Sequence, residues 1–173
     1  MKQSRGLRPQ DIAILLKIAC LNGAPWRTVD LATQLHISQS EISQALSASW
    51  QAGLLDETKR IIHRRSLAEF LLYGVKYIYH QAPGPITRGM PTAHSAPPLA
   101  SLISSDSDTY VWPDEDGKVR GQTIEPLYPT IPKAAKADSA YYEMMALVDA
   151  IRVGKAREYK LASEQLQNRL FTE

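Results

Sequence analysis

The sequence has few residues that could cross-link the chain or anchor it in a membrane. It contains one cysteine, Cys20, so no disulfide can form within it. A lone cysteine fits a reducing compartment, and we expect a cytoplasmic protein in which Cys20 is a small apolar residue of the first helix. The apolar run from Ile12 to Leu21 is interrupted by Lys17, and it falls short of the roughly 18–20 residues that span a bilayer. No small-residue cleavage site follows it, so we predict no secretory signal.

The sequence also lacks the spaced ligands and nucleophile motifs of common enzymes. Its histidines show no metal-ligand spacing: they are His36, His63, His80 and His94. Neither a glycine-rich phosphate loop nor a Gly-x-Ser-x-Gly elbow is present. The acidic run 114–116 could bind calcium in principle, but it is more typical of a solvated loop. We therefore expect no metal, no cofactor and no enzymatic activity, and an active site within residues 81–138 stays as an alternative.

The net charge of +2 is small but unevenly distributed. Residues 1–80 contain ten Lys/Arg against six Asp/Glu, whereas residues 81–173 contain ten against twelve. A positive balance is what a nucleic-acid-binding region shows. The charge pattern thus favours the first half of the chain as the part that would meet DNA.

Proline and apolar spacing divide the chain into three zones. Residues 7–80 have helical periodicity, residues 81–138 hold nine of the eleven prolines, and residues 139–173 return to a helical pattern. The middle zone is too rich in apolar side chains for a disordered tail. Its segments 110–112 and 118–120, which flank a loop ending in Asp116-Gly117, predict a β-hairpin.

Apolar stripes predict two helices in the last zone. The first carries Tyr142, Met145, Val148 and Ile151, and the second carries Tyr159, Ala162, Leu166 and Leu170. Gly154 is the expected break between them. Because such stripes need a partner, we expect these helices to pack against a second copy of the chain.

Helices are also predicted in the first zone. A helix should end at Asn22-Gly23, a second should span Thr28–Leu35, and a third should run from Gln39 to about Ala52. Ser38 and Glu41 form a capping box at the start of the third helix, and Ser66 with Glu69 repeats the pattern before a further helix. Between them, residues 54–63 place two short apolar stretches around a polar tip, which predicts a compact β-ribbon.

Residues 28–46 satisfy the requirements of a helix-turn-helix. Ala32 is small enough for a close helix crossing. Apolar contacts on both sides of the turn come from Leu35, Ile37, Ile42 and Leu46. Ser38 starts the second helix cleanly, so that its first turn can enter a major groove.

These residues resemble the winged helix-turn-helix regulators of the MarR type. The matching residues are Leu31-Ala32, Ile37-Ser38, Ile42-Ser43, Ala45-Leu46 and Gly53-Leu54-Leu55. The resemblance covers roughly residues 8–65 and implies a dimeric transcription regulator with a wing after the recognition helix. The family usually has Leu at the position of Ser49, and we expect Trp50 to take over part of that packing.

The expected fold class is mainly α (α+β). We predict a winged helix-turn-helix domain over residues 1–80, a proline-rich extended segment with a β-hairpin over residues 81–138, and a helical element for dimerisation or packing over residues 139–173.

The candidate DNA contacts fall into two groups. Side chains expected to read base edges lie on the outward face of the third helix: Gln39, Ser40, Ser43, Gln44 and Ser47. Gln can bond an adenine edge in two places, and the absence of Arg and Lys from this face disfavours guanine reading. Phosphate contacts are expected from five cations: Arg27, Lys59, Arg60, Arg64 and Arg65.

Four residues of the proline-rich zone could line a small pocket for an anionic ligand or a partner: Arg88, His94, Trp112 and Arg120. The alternative is that these side chains pin an extended segment onto the core. The sequence does not decide between an effector and a protein partner for this zone.

These patterns together predict a sequence-specific DNA-binding transcription regulator, in the form of a dimeric repressor that reads the major groove of double-stranded DNA with helix 39–52. The alternative is an antitoxin-like or scaffold module, in which the winged helix and the C-terminal region bind a protein partner. Loss of binding at raised salt would favour DNA, because phosphate contacts release counterions.

Overall fold

A computed structural model describes residues 5–104 and 108–172 of the chain. The fold is α+β, with 55% of it helical and one small three-stranded sheet, which confirms the predicted mainly α class. Within the described ranges, no helix combines the length and the apolar character that crossing a membrane requires.

Five helices form the N-terminal half: α1 Pro9–Cys20, α2 Thr28–Leu35, α3 Gln39–Gln51, α4 Arg64–Tyr73 and the short α5 Val75–Ile78. The predicted stop after α1 is confirmed, since Asn22 and Gly23 have φ angles of 48° and 80°. Such left-handed conformations end a helix and suit Asn and Gly. The bounds of α2 and α3 agree with the sequence prediction to within a residue.

The predicted start of α4 is wrong by three residues, which is most of a helical turn. The helix begins at Arg64, with His63 as its N-cap residue, so Ser66 lies inside the first turn instead of capping it. The backbone N–H of His63 donates to the carbonyl of Leu54 at 2.9 Å, and that of Leu67 donates to the carbonyl of His63 at 3.0 Å. The end of the preceding hairpin therefore continues directly into the helix.

The predicted ribbon over residues 54–63 is a minimal hairpin. One bridge pairs Leu55 with Ile62, and the N–H of Asp56 donates to the carbonyl of Ile61 at 3.0 Å. We refer to residues 54–63 as the 54–63 hairpin. Its buried end, Leu54 and Leu55, belongs to the core below α3.

The sheet consists of β1 Ile86–Pro91, β2 Tyr110–Pro113 and β3 Val119–Thr123, with two short 3-10 turns at residues 93–95 and 99–101. Strand β1 pairs antiparallel with both other strands, and β2 and β3 pair parallel to each other. The predicted hairpin between β2 and β3 is therefore wrong.

Two glycines explain why the loop with Asp116 and Gly117 crosses over β1 instead of closing a hairpin between β2 and β3. A Cβ on Gly117 would lie 2.5 Å from the backbone of Gly89, and a Cβ on Gly89 would lie 2.0 Å from the carbonyl oxygen of Trp112. The loop after β2 thus crosses tightly over β1, and only glycine permits backbones to approach so closely.

Three helices complete the fold: α6 Ile131–Lys136, α7 Ser139–Val153 and α8 Ala156–Phe171. Helix α7 is central, because it packs against α1, α5, α6 and α8 and buries side chains around most of its circumference. Helix α8 packs on α4 and α7. The apolar stripes of residues 139–170 are thus covered within the chain, and this removes the reason for assigning them to contact with a second copy. The predicted break at Gly154 is confirmed.

A buried polar network fixes the proline-rich segment to α7. The carboxylate of Asp149, which is 1% exposed, accepts hydrogen bonds from Trp112 Nε1 at 2.6 Å, Thr92 Oγ1 at 2.7 Å and Arg152 at 2.8 Å. Arg152 also donates to the backbone carbonyl of Tyr79 at 3.0 Å. The core is continuous and contains residues from all three zones of the sequence.

Candidate nucleic-acid interface

Helix α3 has one buried face and one exposed polar face. The buried side is made of Ile42, Ala45, Leu46, Ala48 and Ser49, whereas Gln39, Ser40, Ser43 and Gln44 are exposed. The exposed side chains are short or uncharged, and Gln44 Nε2 donates to Ser40 Oγ at 3.4 Å. Four of the five residues predicted to read bases therefore share an accessible surface, and Ser47 lies half-buried at its edge.

The start of this helix is held by the predicted capping box. The backbone N–H of Glu41 donates to Ser38 Oγ at 3.2 Å, and the Ser38 hydroxyl donates to the Glu41 carboxylate at 2.9 Å. The bond from Ser38 is the main reason that the pKa of Glu41 lies below its usual range. A capped first turn keeps the N-terminal residues of α3 in fixed positions.

The turn between α2 and α3 sets the crossing of the two helices. His36 takes the left-handed conformation with φ 55°, and the N–H of Ile37 donates to the carbonyl of Ala32 at 3.1 Å. The side chain of Ile37 is buried, which fixes the turn to the core. His36 has a structural role at this corner, since a non-glycine residue in that conformation marks a tight turn.

The tip of the 54–63 hairpin is organised by Asp56. Its carboxylate accepts from Thr58 Oγ1 at 2.6 Å and from the backbone N–H groups of Ile61 and Arg60 at 2.9 and 3.0 Å. These bonds, with Thr58 first, lower the pKa of Asp56 from 3.8 to about 2. The tip therefore has a defined shape despite its single bridge.

Two tryptophans that the sequence analysis did not assign to this surface hold its basic side chains. Lys59 Nζ lies 5.4 Å from the ring centre of Trp50 and donates to Ser47 Oγ at 3.0 Å. The guanidinium of Arg60 lies 4.3 Å from the ring centre of Trp26 and donates to its carbonyl at 3.0 Å. Each contact over an aromatic face contributes about 0.5–1 kcal/mol at an exposed site.

The expectation that Trp50 replaces a buried leucine is wrong. Trp50 is 42% exposed, whereas Ser49 is 1% exposed. Positions 42, 45, 46 and 49 follow the helical spacing that faces the core, and position 50 lies about 100° further round the helix. The helical spacing of the core-facing positions is therefore the signal that could have assigned Trp50 to the surface.

Of the other three predicted phosphate contacts, Arg27 and Arg64 make hydrogen bonds within the chain, and Arg65 is exposed away from the hairpin. Arg27 is paired with Asp30 at the start of α2, through bonds of 2.9 and 3.1 Å. Arg64 donates to the carbonyl of Leu170 at 2.8 Å, which ties α4 to the end of α8. Arg65 is 91% exposed on α4, with Glu69 3.7 Å away. Only Lys59 and Arg60 lie on the 54–63 hairpin.

The structure does not bring the four predicted pocket residues together. His94 and Trp112 are buried: His94 Nε2 lies 2.5 Å from the carbonyl oxygen of Asp108, and Trp112 bonds to Asp149. Arg88 and Arg120 are exposed partners across β1 and β3. The first two therefore hold the segment in place, and the last two form a separate pair.

Two further features have no role in this surface. Burial raises the pKa of the Cys20 thiol to about 12, so the thiol stays protonated near neutral pH. In residues 5–104 and 108–172, no group of three or more His, Cys, Asp or Glu side chains could hold a metal ion.

Comparison with known proteins gives no match to a family model, to a curated protein or to a solved structure.

Proposed function

We propose that the chain is a sequence-specific DNA-binding transcription regulator. In this proposal α1, α2, α3 and the 54–63 hairpin form a winged helix-turn-helix, α3 enters the major groove, and the hairpin is the wing. The observation that carries the proposal is the exposed Gln/Ser face of α3, flanked by Lys59 and Arg60 on aromatic supports.

The hydrogen-bonding capacity of this surface suits a duplex. The amide of Gln44 can bond both the N6 and the N7 of adenine, and the serine hydroxyls can donate or accept. Lys59 uses one of its three N–H donors on Ser47, and Arg60 uses part of its guanidinium on Trp26. The remaining donors are free to contact phosphate oxygens.

The supports at the hairpin also reduce the cost of binding. A long basic side chain loses rotamer freedom when it contacts a phosphate, and this loss opposes binding. Because Lys59 and Arg60 already lie against Trp50 and Trp26, part of that freedom is lost before DNA arrives.

We further propose that the regulator acts as a homodimer and a repressor in the cytoplasm. One helix-turn-helix contacts only a few base pairs, and a two-fold pair of units supplies a second half-site. Selection of bound sequences from a random duplex library at physiological salt tests sequence-specific binding and two-fold pairing. An inverted repeat with half-sites about one helical turn apart is the expected result, and recovery of no sequence above background would contradict the proposal.

A second candidate function is docking of a protein partner, and it is favoured by exposed apolar side chains near the same surface. Trp50 is 42% and Val29 39% exposed, and α3 has no Lys or Arg along its length. Binding to a partner through these residues should vary little with salt, whereas DNA binding should weaken steeply as salt rises.

A further inference from the structure

Two arginines lie opposite each other on the exposed face of the sheet. In the antiparallel pair of β1 and β3, Arg88 is the register partner of Arg120, and both side chains are exposed. Directly opposed residues project to the same face, with Cβ atoms about 4.5–5.5 Å apart. Two positive charges therefore lie side by side outside the surface formed by α3 and the 54–63 hairpin.

No acidic side chain neutralises this pair in the part of the chain that the structure describes. Neither guanidinium there has a hydrogen bond or an ion pair. Asp114, the acid beside Arg88 in the loop after β2, is paired with Lys136. Glu115 lines the same recess of about 350 Å³ as Arg88, but it makes no ion pair with it. Like charges directly opposed destabilise a sheet. The repulsion between Arg88 and Arg120 therefore lowers the stability of this sheet, and neither side chain is compensated by a partner inside the described fold.

We propose that Arg88 and Arg120 bind a phosphoryl group, a site that lies beyond the proposed DNA-reading surface. Guanidinium groups are planar forks that match the geometry of phosphate oxygens, and each can donate two parallel hydrogen bonds. A dianion between the two side chains removes their repulsion and satisfies donors of both. Lys118, which is exposed two residues before Arg120, adds a third positive charge nearby.

Inorganic pyrophosphate is the probe for this site, with calorimetric titration and thermal unfolding as the readouts. The full chain should bind pyrophosphate and unfold at a higher temperature in its presence. Arg88→Gln and Arg120→Gln should each weaken binding at least tenfold. Without pyrophosphate, each variant should unfold at the wild-type temperature or about 1–3 °C above it, because the repulsion is gone.

Two further variants serve as controls. Lys160→Gln removes an exposed positive charge from α8 and should leave the affinity for pyrophosphate unchanged. Glu115→Gln removes the negative charge beside Arg88 and should raise the affinity by roughly two- to fivefold.

The source of the phosphoryl group is decided by a second titration, with duplex DNA of random sequence. If the double variant Arg88→Gln, Arg120→Gln loses affinity for DNA together with pyrophosphate, the group belongs to the DNA backbone. If DNA binding is retained while pyrophosphate binding is lost, the ligand is a free phosphorylated molecule. Wild-type affinity for pyrophosphate in both single variants would overturn the proposal. A clear drop in their unfolding temperature without ligand would also overturn it, because it would show that the arginines support the sheet.

Discussion

Lys59 at the tip of the 54–63 hairpin is tied to Ser47 on α3 by a hydrogen bond of 3.0 Å. Lys59 has the left-handed φ of 60°, and its Nζ lies above the ring of Trp50. The charge of the hairpin is therefore held against the C-terminal half of α3, beside the residues proposed to read bases. The cations of the hairpin and the base-reading residues of α3 are thus held next to each other. Their separate contributions to DNA binding should be measurable by substitution.

Substitution on α3 and on the hairpin should affect DNA binding in different ways. Gln44→Ala should relax the preference at one base position by about 1–3 kcal/mol. Lys59→Ala with Arg60→Ala should weaken binding to all duplexes alike and reduce the slope of log affinity against log salt by about 2. Dissociation constants for a selected duplex and a substituted one, at several salt concentrations, measure both effects.

Lys160→Gln is the matched control for these variants. It removes an exposed positive charge from α8 and should change neither the preference nor the salt slope. If the Gln44 variant and the hairpin variant changed binding identically, the division between base reading and phosphate contact would be wrong.

The 54–63 hairpin should keep its shape in acid. Hydrogen bonds lower the folded-state pKa of Asp56 from 3.8 to about 2, so its stabilising contribution is present above the unfolded value and is lost as the pH falls through the folded value. The amide resonances of Arg60 and Ile61, which donate to Asp56, should stay constant between pH 7 and pH 4 in an NMR titration. A midpoint near the ordinary pKa of an aspartate would show that these bonds do not form in solution. Asp56→Asn should shift both resonances at neutral pH.

Ser49→Ala should stabilise the protein. The hydroxyl of Ser49 is buried in α3, and within the described residues it has no hydrogen-bond partner. Removing an unsatisfied buried hydroxyl and introducing the best helix former should raise the free energy of unfolding by about 1 kcal/mol. Urea denaturation measures this change.

Ser163→Ala serves as the comparison, because it brings the same gain in helix propensity and should raise the free energy of unfolding less. Ser163 Oγ donates to the carbonyl of Tyr159 at 2.7 Å within α8, so this substitution removes a bond that is made. Destabilisation by Ser49→Ala would indicate that its hydroxyl has a partner, such as a buried water.

Local signals in the sequence predicted the helices of the first zone well. The end of α1 and the start of α3 follow from short-range rules, since the left-handed Asn22-Gly23 stop and the Ser38–Glu41 box depend on residues within one turn of each other. The exposed face of α3 follows from the same periodicity. The positions of Trp26 and Trp50 under the basic tip were missed, because those contacts join elements that are separate in the sequence.

Non-local pairing explains the other errors. Segments 110–112 and 118–120 look like a hairpin in isolation, but both strands pair with β1, twenty or more residues earlier. The stripe of α7 looks unpartnered until α1 and α8 are packed around it. Apolar periodicity shows that a face is covered, and it does not show whether the covering element comes from the same chain.

The polar network around Asp149 should be the main attachment of the proline-rich segment to α7. Asp149→Ala leaves the guanidinium of Arg152, whose side chain is 6% exposed, without its carboxylate partner. Removing one member of a buried ion pair costs about 3–5 kcal/mol. Trp112→Phe keeps an aromatic side chain but loses the bond to Asp149, which costs about 1–3 kcal/mol, and the smaller ring adds the cost of a cavity. Urea denaturation of each variant gives these values.

Glu143→Ala is the matched control, because Glu143 lies on the same helix. Its carboxylate is paired with the guanidinium of Arg169 at 2.6 Å, and both side chains are about 30% exposed. This pair is half-buried, whereas the Asp149–Arg152 pair is almost fully buried, so removing Glu143 should cost less than removing Asp149. In a double-mutant cycle, Asp149→Ala and Trp112→Phe should show a coupling of about 1 kcal/mol or more, since the two side chains share one bond. A cost for Asp149→Ala no larger than that for Glu143→Ala would mean that apolar packing alone holds the segment, because the buried charge of Arg152 would then have found water or another acceptor.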